Sequence, residues 1–457
     1  MVEAKIGFEL HVYIDMNETK KKLFCNCSIS EAKPNSNTCP VCTGQPGNKP
    51  MLPNKEAVDK TVKAGLMLNC NINKDLLFQR KHYSWPDLPN GYQKTMSGSY
   101  SVPAGEHGNF EAIGIREIHL EEDPARWDPV TGKVDYNRSG FPLIEIVTEP
   151  DFKSSKEVRE WVKRLLRTLS YVKAVDKTAG IKSDVNVSIA PAFKRVEIKN
   201  VNSLKSIIKA IDYEIARQQE EPVREMETRA WDDAKEQTIF MRKKETLQEY
   251  MFIPEPDLPV VKIDDAYIRK IEEQLPERPE AKAEKYIKLG VPKEDAAILS
   301  SERLLAELFE KVADEIDPKL AAKWLRRELL RVMHYNKKDM SDLKIDAWHL
   351  IELLKMVEAK NITETTAQKI LEKLIEKPFS PKEYVEKEGL GQISGEEELR
   401  KLCREAVSEN QGAVEDYKKG EEKALNFIVG KVMQKTRGKA DPAVVNRILK
   451  DIISQNI

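Results

Sequence analysis

Residues 113–149 read IGIREIHLEEDPARWDPVTGKVDYNRSGFPLIEIVTE, and they set acids and a histidine into segments whose apolar spacing is that of buried β-strand. With 113–122 extended, Ile118, Leu120 and Glu122 fall on one face. In PLIEIVT, Leu143 and Val147 share theirs with Glu145. An unpaired carboxylate carried out of water costs several kcal/mol or takes up a proton, so such groups meet a cation, a metal or a donor network. For any single Glu a solvated sheet edge is the plainer reading. The pattern, however, recurs.

In IGFELHVYI (6–14), Phe8, Leu10 and Val12 form an apolar face and Glu9 and His11 point together to the other side. In SDVNVSIA (183–190), Asp184, Asn186 and Ser188 oppose Val185, Val187 and Ile189. In RVEIKN (195–200), Arg195, Glu197 and Lys199 oppose Val196 and Ile198. If these strands share a sheet, their polar faces converge on one oxygen-rich site. Hard cations prefer such donors, so Mg²⁺ suits it better than a soft metal, although His11 also admits Mn²⁺ or Zn²⁺.

Four of the six cysteines, Cys25, Cys27, Cys39 and Cys42, are spaced C-x-C-x₁₁-C-x₂-C. Two close pairs separated by a loop can surround Zn²⁺ tetrahedrally, and closed four-Cys ligation is structural. Disulfides, disfavoured in a reducing compartment, and four unrelated buried thiols are the competing readings. Cys70 and Cys403 are isolated and read as core.

The 457 residues carry a formal charge of −1 and 33% charged side chains, so no overall basic excess advertises nucleic acid. The N-terminal MVEAKIGFEL lacks the features of a signal peptide, and no apolar run approaches a membrane span. A cytoplasmic protein without membrane contact is expected. There is neither a G-x-x-x-x-G-K-[ST] loop nor a strand-linked G-x-G-x-x-G, so a nucleotide would need metal and basic side chains in place of a glycine cradle. No Cys-His or Ser-Lys arrangement that would mark a hydrolytic nucleophile is visible.

Up to about residue 263, strand patterns dominate, interrupted by helices expected over 154–172 and 203–219. The prolines of MFIPEPDL (251–258) argue against regular structure there. From residue 264 helical periodicity takes over, with a joint at 378–394. In the tail, a helix through Leu425, Phe427, Ile428 and Val432 precedes RGKADP, where Asp441 can cap the next helix and Pro442 start it. Lys431, Lys435, Arg437, Lys439, Arg447 and Lys450 supply a local basic surface; a solvated helix face is its ordinary reading and contact with RNA phosphates the alternative. In the loop RKHYSWPDLPNGYQ (80–93), Arg80 and Lys81 could meet phosphate and Tyr83, Trp85 and Tyr92 could stack on a base, or the aromatics could pack inward.

The strings IGFELHV, CPVCTGQPG, RKHYSWPDLPNGYQ, IHLEED, VDYNRSGFPLIEIVTEPD, DVNVS, VEIKNVNS, ETRAWD, PEPDLP and KALNFIVGKVMQKTRGKADPAVVN resemble, across essentially the whole chain, the B subunits of aspartyl/glutamyl-tRNA amidotransferases, which carry the kinase and transamidase site. The resemblance implies an α+β architecture: a cradle-like catalytic domain with a mixed sheet and a zinc-ribbon-like insert (1–290), a helical domain (291–393) and a tRNA-binding helical tail (394–457). It implies a ligase that uses ATP and Mg²⁺ to phosphorylate the side-chain carboxylate of misacylated Asp-tRNA(Asn) or Glu-tRNA(Gln). Ammonia would come from a partner amidase subunit, a glutaminase, with a small third subunit to complete a heterotrimer. By motif, Glu9, His11, Glu122, Glu145 and Asp184 become the catalytic and magnesium candidates, and Lys81 and Arg138 the candidates for phosphate or carboxylate contact. Zn²⁺ at the four cysteines would stabilise the fold; some family members lack that cluster. The family more often has an acid at Gln79 and asparagine at His82, which is a departure at this loop. Two other readings remain: the related subunit that pairs with an asparaginase-like partner, which usually carries a large insertion in its second half, and a zinc-containing tRNA-binding scaffold without chemistry.

Overall fold

In the computed structural model, which describes residues 3–83, 85–176, 180–243, 251–391, 396–436 and 438–455, the alternating segments of the N-terminal half pair into one mixed twelve-stranded sheet. Ten of its strands are β1 (Ala4–Tyr13), β2 (Gln79–His82), β3 (Tyr92–Thr95), β4 (Ile113–Glu122), β5 (Pro142–Thr148), β6 (Ile181–Ile189), β7 (Val196–Val201), β8 (Glu227–Asp232), β9 (Gln237–Lys243) and β10 (Met251–Pro254). They run in the order β9-β8-β7-β6-β1-β5-β4-β3-β2-β10. Neighbours are antiparallel except β7 and β8. Strand β1, the first in sequence, therefore lies in the middle of the sheet, flanked by β5 and β6 from far along the chain.

The two faces of this sheet differ because side chains alternate across a strand. Ile6, Phe8, Leu10 and Val12 of β1, Ile118 and Leu120 of β4, Ile144 and Ile146 of β5, and Val185 and Val187 of β6 share one buried cluster. Three helices supply its other half: α1 (Lys55–Met67), α2 (Ser155–Tyr171) and α3 (Leu204–Glu220), through Val58, Val62, Trp161, Leu165, Ile207 and Ile211. Each such side chain contributes roughly 1.5–3 kcal/mol when fully buried. Helices α2 and α3 start where the sequence predicts, Ser154 accepting from Glu157 N and Ser203 from Ser206 N, which satisfies otherwise orphaned amides.

One expectation is overturned for its first half and holds for residues 255–258. MFIPEPDL reads as irregular, yet Met251–Pro254 pairs antiparallel with β2, Lys81 opposite Phe252 and Gln79 opposite Pro254. It stands at the end of the sheet, where a proline without an N–H is tolerated.

Contacts divide the chain into two units, Met1–Glu277 and Arg278–Ile457. The second is helical among its described residues and holds two apolar clusters. One gathers Tyr286, Phe309, Leu325, Leu353 and Leu371. The other gathers Leu399, Cys403, Ile428, Val445 and Leu449 from the stretch of the last four helices, Glu396–Glu409, Gln411–Lys418, Glu422–Lys435 and Pro442–Gln455. Asp441 accepts from Ala443 N at 2.8 Å at the start of the last helix, as the RGKADP pattern predicts. Cys70 and Cys403 are both buried, as expected of core thiols.

Candidate functional site

The face of the sheet opposite the helices carries the acids. His11 stands opposite Glu145, Glu9 opposite Asp184, and Glu145 opposite His119, so register alone stacks these side chains on one side of β1, β4, β5 and β6. A cavity of about 450 Å³ lies over them. Glu9, His11, Glu121, Asp123, Glu145, Asp184 and Glu197 line it together with Lys81, Lys182 and Lys199. The pairing of β6 with β7 shifts register between Ser183 and Val185, around Asp184. Such irregularities re-aim side chains next to sites.

The carboxylates fall into two groups whose ligand atoms lie within 4.8 Å of one another: His11, Glu121 and Glu145, and Glu9, Asp184 and Glu197. Either group could hold a metal ion. In the first, His11 Nε2 is 3.1 Å from Glu121 Oε1 and 3.5 Å from Glu145 Oε1. Thr95 Oγ1 donates to the other oxygen of Glu121 at 3.0 Å. In the second, Lys199 Nζ reaches Asp184 Oδ2 at 2.8 Å and Glu197 Oε1 at 3.4 Å, and Thr228 Oγ1 donates to Glu197 Oε2 at 3.2 Å.

Behind the first group, His119 donates from Nδ1 to Glu145 at 2.7 Å and from Nε2 to Glu117 at 2.9 Å. An ionised carboxylate only accepts, so with Glu117 and Glu145 both ionised the two ring nitrogens both carry protons. Burial works against that charge, but the hydrogen bonds to Glu117 and Glu145 push His119 up to about 9. His11 is likewise raised to about 9, its burial outweighed by Glu121 and Glu145. Burial alone would lift Glu145, whereas His119, His11 and Lys81 hold it well below the usual carboxylate range. Glu9 shifts the opposite way: burial and the like charges of Glu145, Asp184 and Glu197 raise it, with Lys199 opposing. Crowding of this kind is relieved by a proton or a bound cation.

Of the residues singled out from sequence, Glu9, His11, Glu145 and Asp184 come together here. Glu122 stands apart, because alternation turns it to the face opposite Glu121: its Oε1 is 2.7 Å from the buried Lys94 Nζ and accepts from Lys94 N at 3.0 Å. Lys81 lines the cavity. Arg138 does not reach the cavity lining; it braces a wall of it, its Nε 3.0 Å from Asp123 Oδ2. Asp123 also accepts from Tyr13 OH at 2.6 Å and Lys182 Nζ at 2.8 Å. Sequence reading misses His119, Glu121 and Asp123, although the strings IHL and EED carry them. The signal is the other phase of the same alternation, Glu117-His119-Glu121, set against the apolar Ile118 and Leu120.

The four cysteines of the N-terminal insert also meet, their sulfurs within 4.8 Å of one another. Four sulfurs at about 2.3 Å from a tetrahedral ion lie roughly 3.8 Å apart, so the set fits a closed metal site. Cys42 Sγ is 4.0 Å from Cys27 Sγ. It accepts from Cys39 N at 3.2 Å and from the buried Lys22 Nζ at 3.3 Å. The Cys25 thiol, that amide and the Lys22 charge together pull Cys42 far below the usual thiol range, to about 4, against burial. In the tail, Lys435 pairs with Glu409 and Lys439 donates to Gly389 O, so part of the basic surface has protein partners; Arg437 lies outside the described residues.

Comparison with known proteins is consistent over the whole chain. Residues 4–269 match the GatB/GatE catalytic domain and residues 307–453 the GatB domain. That pairing defines a protein of the GatB class, the second match falling in the helical unit. The aspartyl/glutamyl-tRNA(Asn/Gln) amidotransferase B subunit of Methanothermobacter thermautotrophicus is 44% identical over 457 residues, covering 98% of this chain and 100% of that protein. The corresponding proteins of Methanocaldococcus jannaschii, at 44%, and Methanococcus maripaludis strain C5, at 43%, each match with 98% of both chains covered. The chain belongs to the B-subunit family of tRNA-dependent amidotransferases. Among the described residues no helix is long and apolar enough to cross a membrane.

Proposed function

We propose that the carboxylate cleft activates the side-chain carboxylate of misacylated Asp-tRNA(Asn) or Glu-tRNA(Gln) with ATP and passes it to ammonia delivered by a partner amidase. The observation that carries this reading is the opposition, in one cavity, of six carboxylates to Lys81, Lys182 and Lys199. Oxygen donors suit a hard cation such as Mg²⁺, and amines suit phosphate oxygens.

A carboxylate resists ammonia because its carbonyl is electron-rich and oxide leaves poorly. Attack of the substrate carboxylate oxygen on the γ-phosphorus of ATP forms a C–O–P bond and releases ADP. Ammonia then attacks the carbonyl carbon, the C–O bond to phosphate breaks, and inorganic phosphate departs with the proton that the nitrogen loses, leaving the amide. Phosphoryl transfer asks mainly for positioning and charge compensation. Glu9, Glu121, Glu145, Asp184 and Glu197 would hold Mg²⁺, which when bound neutralises phosphate oxygens, and His11 would join them on giving up its proton. Lys81, Lys182 and Lys199 would orient those oxygens. His119, protonated between Glu117 and Glu145, fixes the Glu145 carboxylate.

The four cysteines would hold structural Zn²⁺. The glutaminase partner would supply ammonia, and a small third subunit would complete a cytoplasmic heterotrimer. We assign catalysis to residues 1–290, a helical domain to 291–393 and tRNA contact to 394–457, where Lys431, Arg447 and Lys450 could follow phosphates. Relatives of the same length, without a large insertion in the second half, favour this reading over the asparaginase-partnered form.

The test is reconstitution with the amidase partner, ATP, Mg²⁺, glutamine and each misacylated tRNA, measuring ADP and amidated product. Glu145→Ala should lower ADP formation by roughly two to three orders of magnitude with tRNA binding retained. Binding of tRNA without ATP turnover by the wild-type complex would favour the scaffold reading instead.

A further inference from the structure

We propose that Arg80, clamped by Glu255 and Asp257, is a positioning residue that presents Lys81 to the carboxylate cleft. The inference rests on the reading of that cleft as the phosphoryl-transfer site and deepens it. Consecutive residues of a strand point to opposite faces, so Lys81 and Arg80 leave β2 in opposite directions. Lys81 reaches the cavity, as does Phe252, its partner across the β2–β10 ladder. Arg80 reaches the segment PEPDLP that follows β10.

There the guanidinium is held on several sides. Its Nε donates to Glu255 Oε2 at 2.9 Å and its Nη2 to Glu255 Oε1 at 2.8 Å and to Asp257 Oδ2 at 3.0 Å. The Glu255 side chain is wholly shielded from solvent, and it is fixed in turn: Oε1 accepts from Asp257 N at 3.0 Å, and Glu255 N donates to Phe78 O at 3.1 Å. Lys49 sits 3.0 Å from the far oxygen of Asp257, and the Arg80 guanidinium lies 4.3 Å from the centre of the Tyr92 ring. A buried carboxylate is retained only where its partner geometry is good, and a bidentate fork is the best that arginine offers.

Neither Glu255 nor Asp257 lines the cleft, so the clamp does no chemistry there. What it can do is mechanical. Strand β2 has four residues, and short ladders with β3 on one side and β10 on the other share in setting its roll. Tying Arg80 to a carboxylate on a segment 175 residues away fixes that roll, and with it the direction in which Lys81 leaves the strand. The polar part of PEPDLP thereby acts at the cleft without entering it.

A double-mutant cycle in the reconstituted complex tests this. Arg80→Lys keeps the charge but loses the planar fork. It should lower kcat/KM for ATP about tenfold in the folded, assembled complex. Lys81→Ala should lose at least as much, and Arg80→Lys/Lys81→Ala no more than Lys81→Ala alone, because the clamp acts through Lys81. Full additivity of the two losses, or an unchanged kcat/KM in Arg80→Lys, would overturn the proposal. If Arg80→Lys fails to fold, Glu255→Gln, which keeps the side chain's size but loses the charged fork, takes its place in the cycle with the same criterion. A silent Lys81→Ala beside an inactive Glu145→Ala removes the clamp's role and leaves the amidation reading standing; silence of both removes that reading.

Discussion

The four-cysteine cluster and the carboxylate cleft are built in opposite ways. Cys25, Cys27, Cys39 and Cys42 come from one short stretch and their sulfurs close on one another; four thiolates around one ion would leave no open coordination position for a substrate. The cleft draws Glu9, Glu121, Glu145, Asp184 and Glu197 from five strands and opens on a cavity of about 450 Å³ with three lysines on its walls. Soft ligands in a closed set stabilise a fold, whereas hard ligands around an open space leave positions for substrate. Local sequence suffices for the first. The second exists only once strands far apart in sequence have paired.

The sharpest way to break this contrast is to mutate neighbours on one strand. Glu121→Gln should lower ADP formation about 10- to 100-fold with little change in stability, because its carboxylate faces His11 and the cavity. Glu122→Gln should do the reverse, leaving turnover near that of the wild type while costing about 3 kcal/mol in denaturant unfolding. That change strips the buried Lys94 ammonium of its counter-charge. Equal losses of turnover in the two variants would erase the distinction between the faces.

At the cysteine cluster, Cys39→Ser should abolish stoichiometric zinc by elemental analysis and lower stability by about 3 kcal/mol or more, while ADP formation by the folded fraction changes little. Full zinc content in that variant would contradict the assignment.

A smaller effect sharpens the electrostatics. His119 is raised from an ordinary 6.5 to about 9 in the folded chain, so its contribution to stability is fully present below pH 6.5 and is lost as pH rises through about 9. Metal-free protein should therefore lose stability across that window, and His119→Gln should flatten the loss. An NMR titration placing the His119 midpoint near 6.5 would refute the imidazolium.

Much of this was legible in the sequence, unevenly. Period-two alternation marked the strands, and the serines before α2 and α3 marked their starts. Alternation also grouped Glu9 with His11 and Asp184 with Asn186. It failed at the IHLEED string, where either phase holds an acid: Glu122 follows the apolar Ile118 and Leu120, and Glu121 follows Glu117 and His119. Only the pairing of β4 with β5, which sets His119 opposite Glu145, decides which phase faces the cleft. Likewise nothing local to Arg80 announces Glu255. Residues 251–254 of MFIPEPDL form a strand because an edge position tolerates what a sheet interior does not, and edge status belongs to the assembled sheet.

The central claim, that the carboxylate face holds a hard cation, is tested most directly by anomalous diffraction from crystals of the assembled enzyme grown with Mn²⁺ in place of Mg²⁺. The account predicts a manganese peak in the cleft within bonding distance of Glu145 or its neighbours in the two carboxylate groups, lost in Glu145→Ala. A cleft without manganese, at a concentration that sustains turnover, would contradict it.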